Sequence, residues 1–259
     1  MLLRRLADAI RKQNWFTVVL EVLIIVVGIF IGLQVDGWNE QRKDRILEQR
    51  YFERIYDELA LDIDVFEIGI KLAESRRTMG ELLIEALQDS SVVRANPAAF
   101  IIAIEQAGYT FLPAINDSTF EELKFTGDLA IIQDEELRAS LTGYYKLIKQ
   151  YAQWSYLRES FQTGYSDRVL GILTPEQQRE TRDMVRRFDE PARDNQPIEL
   201  GENEALKALE RMREKQDFID QIPRATNNDG PIRNLRLWKN AAEDLRNSVG
   251  VELRNVSKN

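Results

Sequence analysis

The sequence predicts an all-α protein in which a single N-terminal transmembrane helix continues into a stalk and an extracytoplasmic helical bundle. Three observations carry this reading. Phe16 to Val35 is a run of 20 residues interrupted only by Thr17, Glu21 and Gln34, long enough as a helix to cross a hydrocarbon core of about 30 Å. Beyond it, apolar residues recur every three or four positions, the period of a half-buried helix. The 259 residues include only 7 Pro and 13 Gly, and few stretches alternate as strands do.

Residues 1–14, "MLLRRLADAIRKQN", place Leu3, Leu6 and Ile10 on one helical face, with Arg4, Arg11 and Lys12 elsewhere. Such a segment either lies on anionic headgroups or serves as a basic tail that sets topology. The span is assigned to 15–38, with Trp15, Gln34, Trp38 and Asn39 as its anchors at the two interfaces. A cleaved signal peptide is the competing reading, but no small-x-small site follows and the apolar run exceeds a usual h-region. Four basic residues precede the span and five follow it closely. That tie is broken by mechanism, because a short basic tail resists translocation whereas a long C-terminal domain crosses largely regardless of charge. The expected location is therefore a bacterial inner membrane, with the N-terminus cytoplasmic and the C-terminal domain periplasmic.

Within the span, Val22 to Val35 is free of charge for 14 residues, a rise of about 21 Å that falls short of the core thickness. Glu21 then lies about 9 Å along the axis from Trp15. It either pairs with another group or snorkels to the nearby interface. Gly28 and Gly32 form a GxxxG motif that lets a partner backbone approach closely. Glu21, Ile25, Gly28, Gly32, Val35 and Asn39 recur at steps of four, three, four, three and four, so one stripe carries both the glycines and the carboxylate. This stripe is the candidate helix–helix interface.

A stalk is expected over 39–75 and a bundle over 76–259. Leu47, Tyr51, Ile55, Leu59, Asp62 or Ile63, Phe66 and Ile70 fall near one helical face. Thr78–Leu87 reads as a second helix, and Asn96-Pro97 starts a third that ends near Gly108. A loop over Tyr109–Ser118 leads to a helix opened by Asp117-Ser118 and stopped by Gly127. Asp134 then opens a long helix reaching about Tyr165. In it, Tyr151, Trp154, Arg158, Phe161 and Tyr165 follow a helical stripe, which is core packing or, alternatively, a docking face for another subunit. Thr174-Pro175 begins another helix, Phe188–Glu204 reads as a polar loop, and two helices close the chain, roughly Glu204–Ile222 and Pro231–Arg254.

The string "EVLIIVVGIFIGLQVDGWNEQRKDR" resembles the opening of an uncharacterised family of small bacterial single-pass membrane proteins, a domain of unknown function. The resembling positions are Glu21, Gly28, Gln34 and Trp38-Asn39-Glu40, and "STFEELKFTGDLAIIQDEELRASLTGYY", Ser118–Tyr145, resembles that family too. Asp36-Gly37 departs from the amides expected before the Trp. The resemblance implies an anchor and a helical body, and brings no known activity.

Charge and composition narrow the function. The net charge is −8, with 8 basic and 6 acidic residues in the first 50, so the remainder is at −10. An acidic body is unsuited to nucleic acid. The chain has no Cys and no His, which removes disulfides, thiolate chemistry and the commonest general base and metal ligand. No phosphate-binding glycine loop occurs, and adjacent carboxylates such as Glu121-Glu122 diverge on a helix. The expectation is a non-enzymatic accessory or scaffold subunit without cofactor. Its partners would be the lipid bilayer and other membrane-protein subunits or itself. The alternative is a membrane-tethered, ligand-sensing helical bundle.

Overall fold

A computed structural model of the protein describes residues 15–109, 111–152, 155–186, 201–227 and 229–256. The basic segment expected at 1–14, and the polar loop up to residue 200, lie outside them. Helix α1, Trp15–Gln88, runs 74 residues without a break, about 110 Å. No proline falls within it, so nothing removes a backbone donor or forces a kink. Thr78–Leu87 is thus the last part of α1 and not a separate helix, because Ser75-Arg76-Arg77-Thr78 contains no breaker.

The chain then turns through α2 (Ser91–Ala95) into α3 (Pro97–Gln106). Asn96 caps α3 by accepting the Ala99 N–H, and Pro97 occupies the first turn, where its missing donor costs nothing. Next come α4 (Ser118–Thr126), a 3-10 turn at Asp128–Ile131, α5 (Glu135–Ala152) and α6 (Ser155–Val169). Gly127 ends α4 in the left-handed region at φ 82°, a conformation cheap only for glycine. The long helix expected from Asp134 is helical on both sides of residues 153–154, as α5 and α6. Helix α7 (Pro175–Arg186) opens on a capping box: the Gln177 N–H donates to Thr174 Oγ1, and the Thr174 N–H donates to Gln177 Oε1.

The single helix expected over Glu204–Ile222 is three pieces, α8 (Glu202–Arg213), α9 (Gln216–Ile219) and α10 (Ile222–Thr226). Lys215 leaves the helical region (φ −106°, ψ 81°), and the resulting turns bury both Phe218 and Ile222. Helix α11, Asp229–Val256, returns antiparallel along α1. Ion pairs Arg77–Asp229, Glu74–Arg236 and Glu67–Lys239 mark the register, and Arg246 lies 3.9 Å over the Tyr56 ring. This is the most extensive helix–helix contact in the fold.

Among the described residues, two hydrophobic clusters hold the bundle. One gathers Tyr51, Phe52, Ile55, Leu59 and Phe66 of α1 with Phe120, Leu141, Tyr145 and Trp238. The other gathers Leu83 and Ala86 with Phe100, Ile104, Tyr165, Met212 and Phe218. Each fully buried Leu or Phe stabilises by about 1.5–3 kcal/mol. Burial along α1 begins at Glu48, and from there on one face of the helix expected over 39–75 packs into the bundle. The face read from the sequence is the packed one: Tyr51, Ile55, Leu59, Asp62 and Phe66 are all buried.

Candidate functional site

Two features of α1 stand out from the packed bundle. The first is its N-terminal part. From Val19 to Val35 every residue is exposed, including Ile25 at 61% and Val35 at 57%. Among the described residues this is the one helix apolar and long enough to cross a membrane, by length and composition. A Cβ placed on Gly28 or Gly32 meets no atom of the chain within 4 Å. Glu21, Gln34 and Asn39 are exposed on the same helix, and Trp38 is 72% exposed. Trp15 opens α1. Glu21, Ile25, Gly28, Gly32 and Val35 lie along one exposed side of a single helix, as the spacing requires.

The second feature was not singled out as a site from the sequence. Three carboxylates of α1 take up donors from the chain between 116 and 133. Asp62 is wholly buried, and it accepts the Asn116 N–H at 2.9 Å, the Asn116 side-chain amide at 3.0 Å and the Tyr144 hydroxyl at 2.8 Å. Glu58 accepts the Ser118 hydroxyl at 2.6 Å, the Thr119 hydroxyl at 2.7 Å and the Thr119 N–H at 3.2 Å. Glu48 accepts the Gln133 N–H at 3.0 Å. Tyr51 donates to Asp128 at 2.9 Å, and Arg54 pairs with Glu122 at 2.8 Å. Glu58 therefore caps α4 from another helix, whereas Asp117, the cap expected from the sequence, makes no side-chain capping bond.

Burial sets the electrostatics here. Desolvation raises the Asp62 carboxyl above its ordinary range, against the lowering effect of its three donors, and it raises Glu48 in the same way. Burial together with the Asp62 charge pushes the Tyr144 phenol far up. Each of these carboxylates already accepts hydrogen bonds that hold a segment in place, so the arrangement fastens the 116–133 strap to α1. The sequence signal was slight: Asp62 falls on an otherwise apolar stripe, where an acid needs donors brought to it by other elements.

The aromatic stripe weighed as a docking face divides differently. Tyr165 is fully buried and donates to the Ile104 carbonyl at 3.0 Å, so it belongs to the core. Its ring also lies where a Gly108 side chain would be. Phe161 is half-buried beside it, the ring centroids 6.3 Å apart. Trp154 and the side chains of Tyr151 and Arg158 lie outside the described residues. No protein-family model, no curated protein and no solved structure matches the chain.

Proposed function

We propose that the protein is a non-enzymatic, single-pass membrane protein that serves as an accessory or scaffold subunit of a membrane complex or homo-oligomer. In this reading the N-terminus is cytoplasmic and the bundle lies on the periplasmic side of a bacterial inner membrane. The observation that carries it is the fully exposed apolar stretch Val19–Val35, continuous with the core helix of the bundle. In water this much apolar surface on one unpartnered helix is unfavourable, whereas in a bilayer it faces a matching solvent. The unfilled notches at Gly28 and Gly32 then fit a close helix contact, in which packing replaces contact with lipid. The resemblance of the Trp38-Asn39-Glu40 juncture to a single-pass family supports the same reading.

Two measurements test it. Gly28→Ile with Gly32→Ile is expected to abolish the proposed assembly, as measured by size and mass in mild detergent, while leaving the bundle folded. Unchanged assembly removes the glycine face from the proposal. Because the chain lacks Cys, single cysteines placed at exposed positions report sidedness. Lys207→Cys should react with a membrane-impermeant maleimide from the periplasmic side, and reaction only after cell lysis overturns the orientation.

A further inference from the structure

Within the bundle, α1 keeps one apolar stripe that is left open. Leu61, Val65, Ile68 and Leu72 follow steps of four, three and four, so they lie along one side of the helix. Leu61 is 54% and Ile68 50% exposed. Val65 and Leu72 are half-buried, and among the described residues they pack against neither hydrophobic cluster. Apolar residues scattered singly over a surface need no explanation. Four in succession at helical spacing are the pattern of a seam between helices.

The stripe has two different edges. On one side the chain from Phe111 to Asn116 lies along α1: a Cβ on Gly69 would fall 2.6 Å from the Phe111 ring, and Asn116 bonds to Asp62. On the other side α11 packs, with Lys239 near Glu67 and Arg236 near Glu74. Gly69 and Glu67 lie about 80° and 120° to either side of Leu61, so the stripe forms the floor of the open arc between them. Asp57 and Asp64 stand on the α11 side of that floor, seven residues apart and both exposed. Among the described residues neither has an ion pair or a side-chain hydrogen bond. Lys71, next along the same edge, is held by Glu67 at 2.9 Å, so the edge stays acidic.

We propose that this face of α1 binds an amphipathic helix of another subunit, one with apolar residues at the same spacing and Lys or Arg along one edge. Alternating steps of four and three average 3.5 residues, the repeat at which two helices pack side by side at about 20°. The two unpaired carboxylates, confined to one edge, select a basic partner and fix which way round it lies. A second copy of this chain, related by a two-fold axis along α1, would turn its Phe111 edge toward them, and residues 111–116 carry no cation. The proposal rests on the accessory-subunit reading and deepens it by giving the chemistry of one partner.

The probe is a fluorescent helical peptide with Leu at this spacing and Lys along one edge, titrated with the full chain at a fixed concentration of non-ionic detergent and read by anisotropy. A second peptide carries Glu in place of Lys. The Lys peptide should bind saturably, and the Glu peptide about tenfold more weakly. Leu61→Asn with Ile68→Asn should weaken binding by about tenfold or more, with a Tm close to the parent's because both side chains are exposed. Asp57→Asn with Asp64→Asn should weaken it several-fold and remove most of its salt dependence. Gly28→Ile with Gly32→Ile should bind as the parent does, so failure of the glycine face and failure of this site are read separately. Equal binding of the two peptides overturns the proposal. So does binding unchanged in either bundle variant, which is what uptake by micelles alone would give. A chain dimer that excludes the peptide and dissociates in Leu61→Asn with Ile68→Asn overturns it in favour of a second copy.

Discussion

Replacing Asp62 by Ala and by Asn separates two roles for a buried carboxylate. Asp62→Ala removes the acceptor for three donors, the Asn116 N–H, the Asn116 amide and the Tyr144 hydroxyl. A buried donor left unsatisfied costs about 1–3 kcal/mol, but Asn116 is only half-buried and recovers part of its loss from water. The sum expected is about 3–4 kcal/mol of bundle stability. Asp62→Asn keeps an oxygen toward Asn116 but turns an N–H toward the Tyr144 oxygen, which leaves the Tyr144 hydroxyl proton without its acceptor, so its cost should be about 1–2 kcal/mol, well below that of Asp62→Ala. The two variants also differ in pH response. Because the native pKa of Asp62 is raised, its stabilising contribution is fully present below the ordinary aspartate range and is lost as pH rises through the native value. Asp62→Asn should flatten that part of the profile. Urea unfolding followed by the fluorescence of Trp238, which packs 6.0 Å from Phe66, measures both effects with m as a check on compactness. An Asp62→Ala cost below about 1 kcal/mol, or an Asp62→Asn variant equally damaged, would refute the reasoning.

The glycines supply a contrast that needs no knowledge of function. A Cβ at Gly108 would lie 2.0 Å from Tyr165 Cγ, inside a core that cannot yield, so Gly108→Ala should cost about 3 kcal/mol or more by overpacking. Gly28→Ala meets no atom of the chain within 4 Å and should leave the bundle's thermal midpoint within a degree or so of the parent's. Differential scanning fluorimetry on the two variants decides the matter. Equal midpoints would mean that Tyr165 has room to move aside.

The sequence made the helices and their packed face legible because both follow from local rules. The α1 stripe from Tyr51 to Phe66, the Asn96-Pro97 start and the Gly127 stop each depend on residues within a few positions of one another. Helix breaks without a proline or glycine were not legible. Lys215 departs from helical geometry between two good helix-forming segments, and the benefit, burial of Phe218, is set by tertiary contacts. The strap was missed for a related reason. Glu58 caps a helix that starts 60 residues further on, and a cap supplied from another element leaves no local spacing to recognise. The stripe ending in Tyr165 reads as core, with a docking face as the alternative, since periodicity locates a face but does not say what covers it.

The continuity of α1 links its exposed part to its packed part by phase. Thirty-six residues make about ten turns of an α-helix, so Leu61 lies in phase with Ile25, and Ile68 with Gly32. Leu61 is 54% and Ile68 50% exposed, whereas Asp62, Phe66 and Ala73, on the other side of the helix, are buried. The bundle therefore leaves open the side of α1 that carries the Gly28 and Gly32 notches, and a partner helix approaching those notches meets neither α4 nor α11. A homo-oligomer built on this face predicts which positions come together. Asn39 belongs to the stripe, while Gln41 lies about 160° around the helix from it. In the natural chain's cysteine-free background, Asn39→Cys should form an intermolecular disulfide in native membranes and Gln41→Cys should not. Equal cross-linking at the two positions would mean that the contact follows no helical phase, and the glycine stripe would then be only a property of a helix at home in lipid.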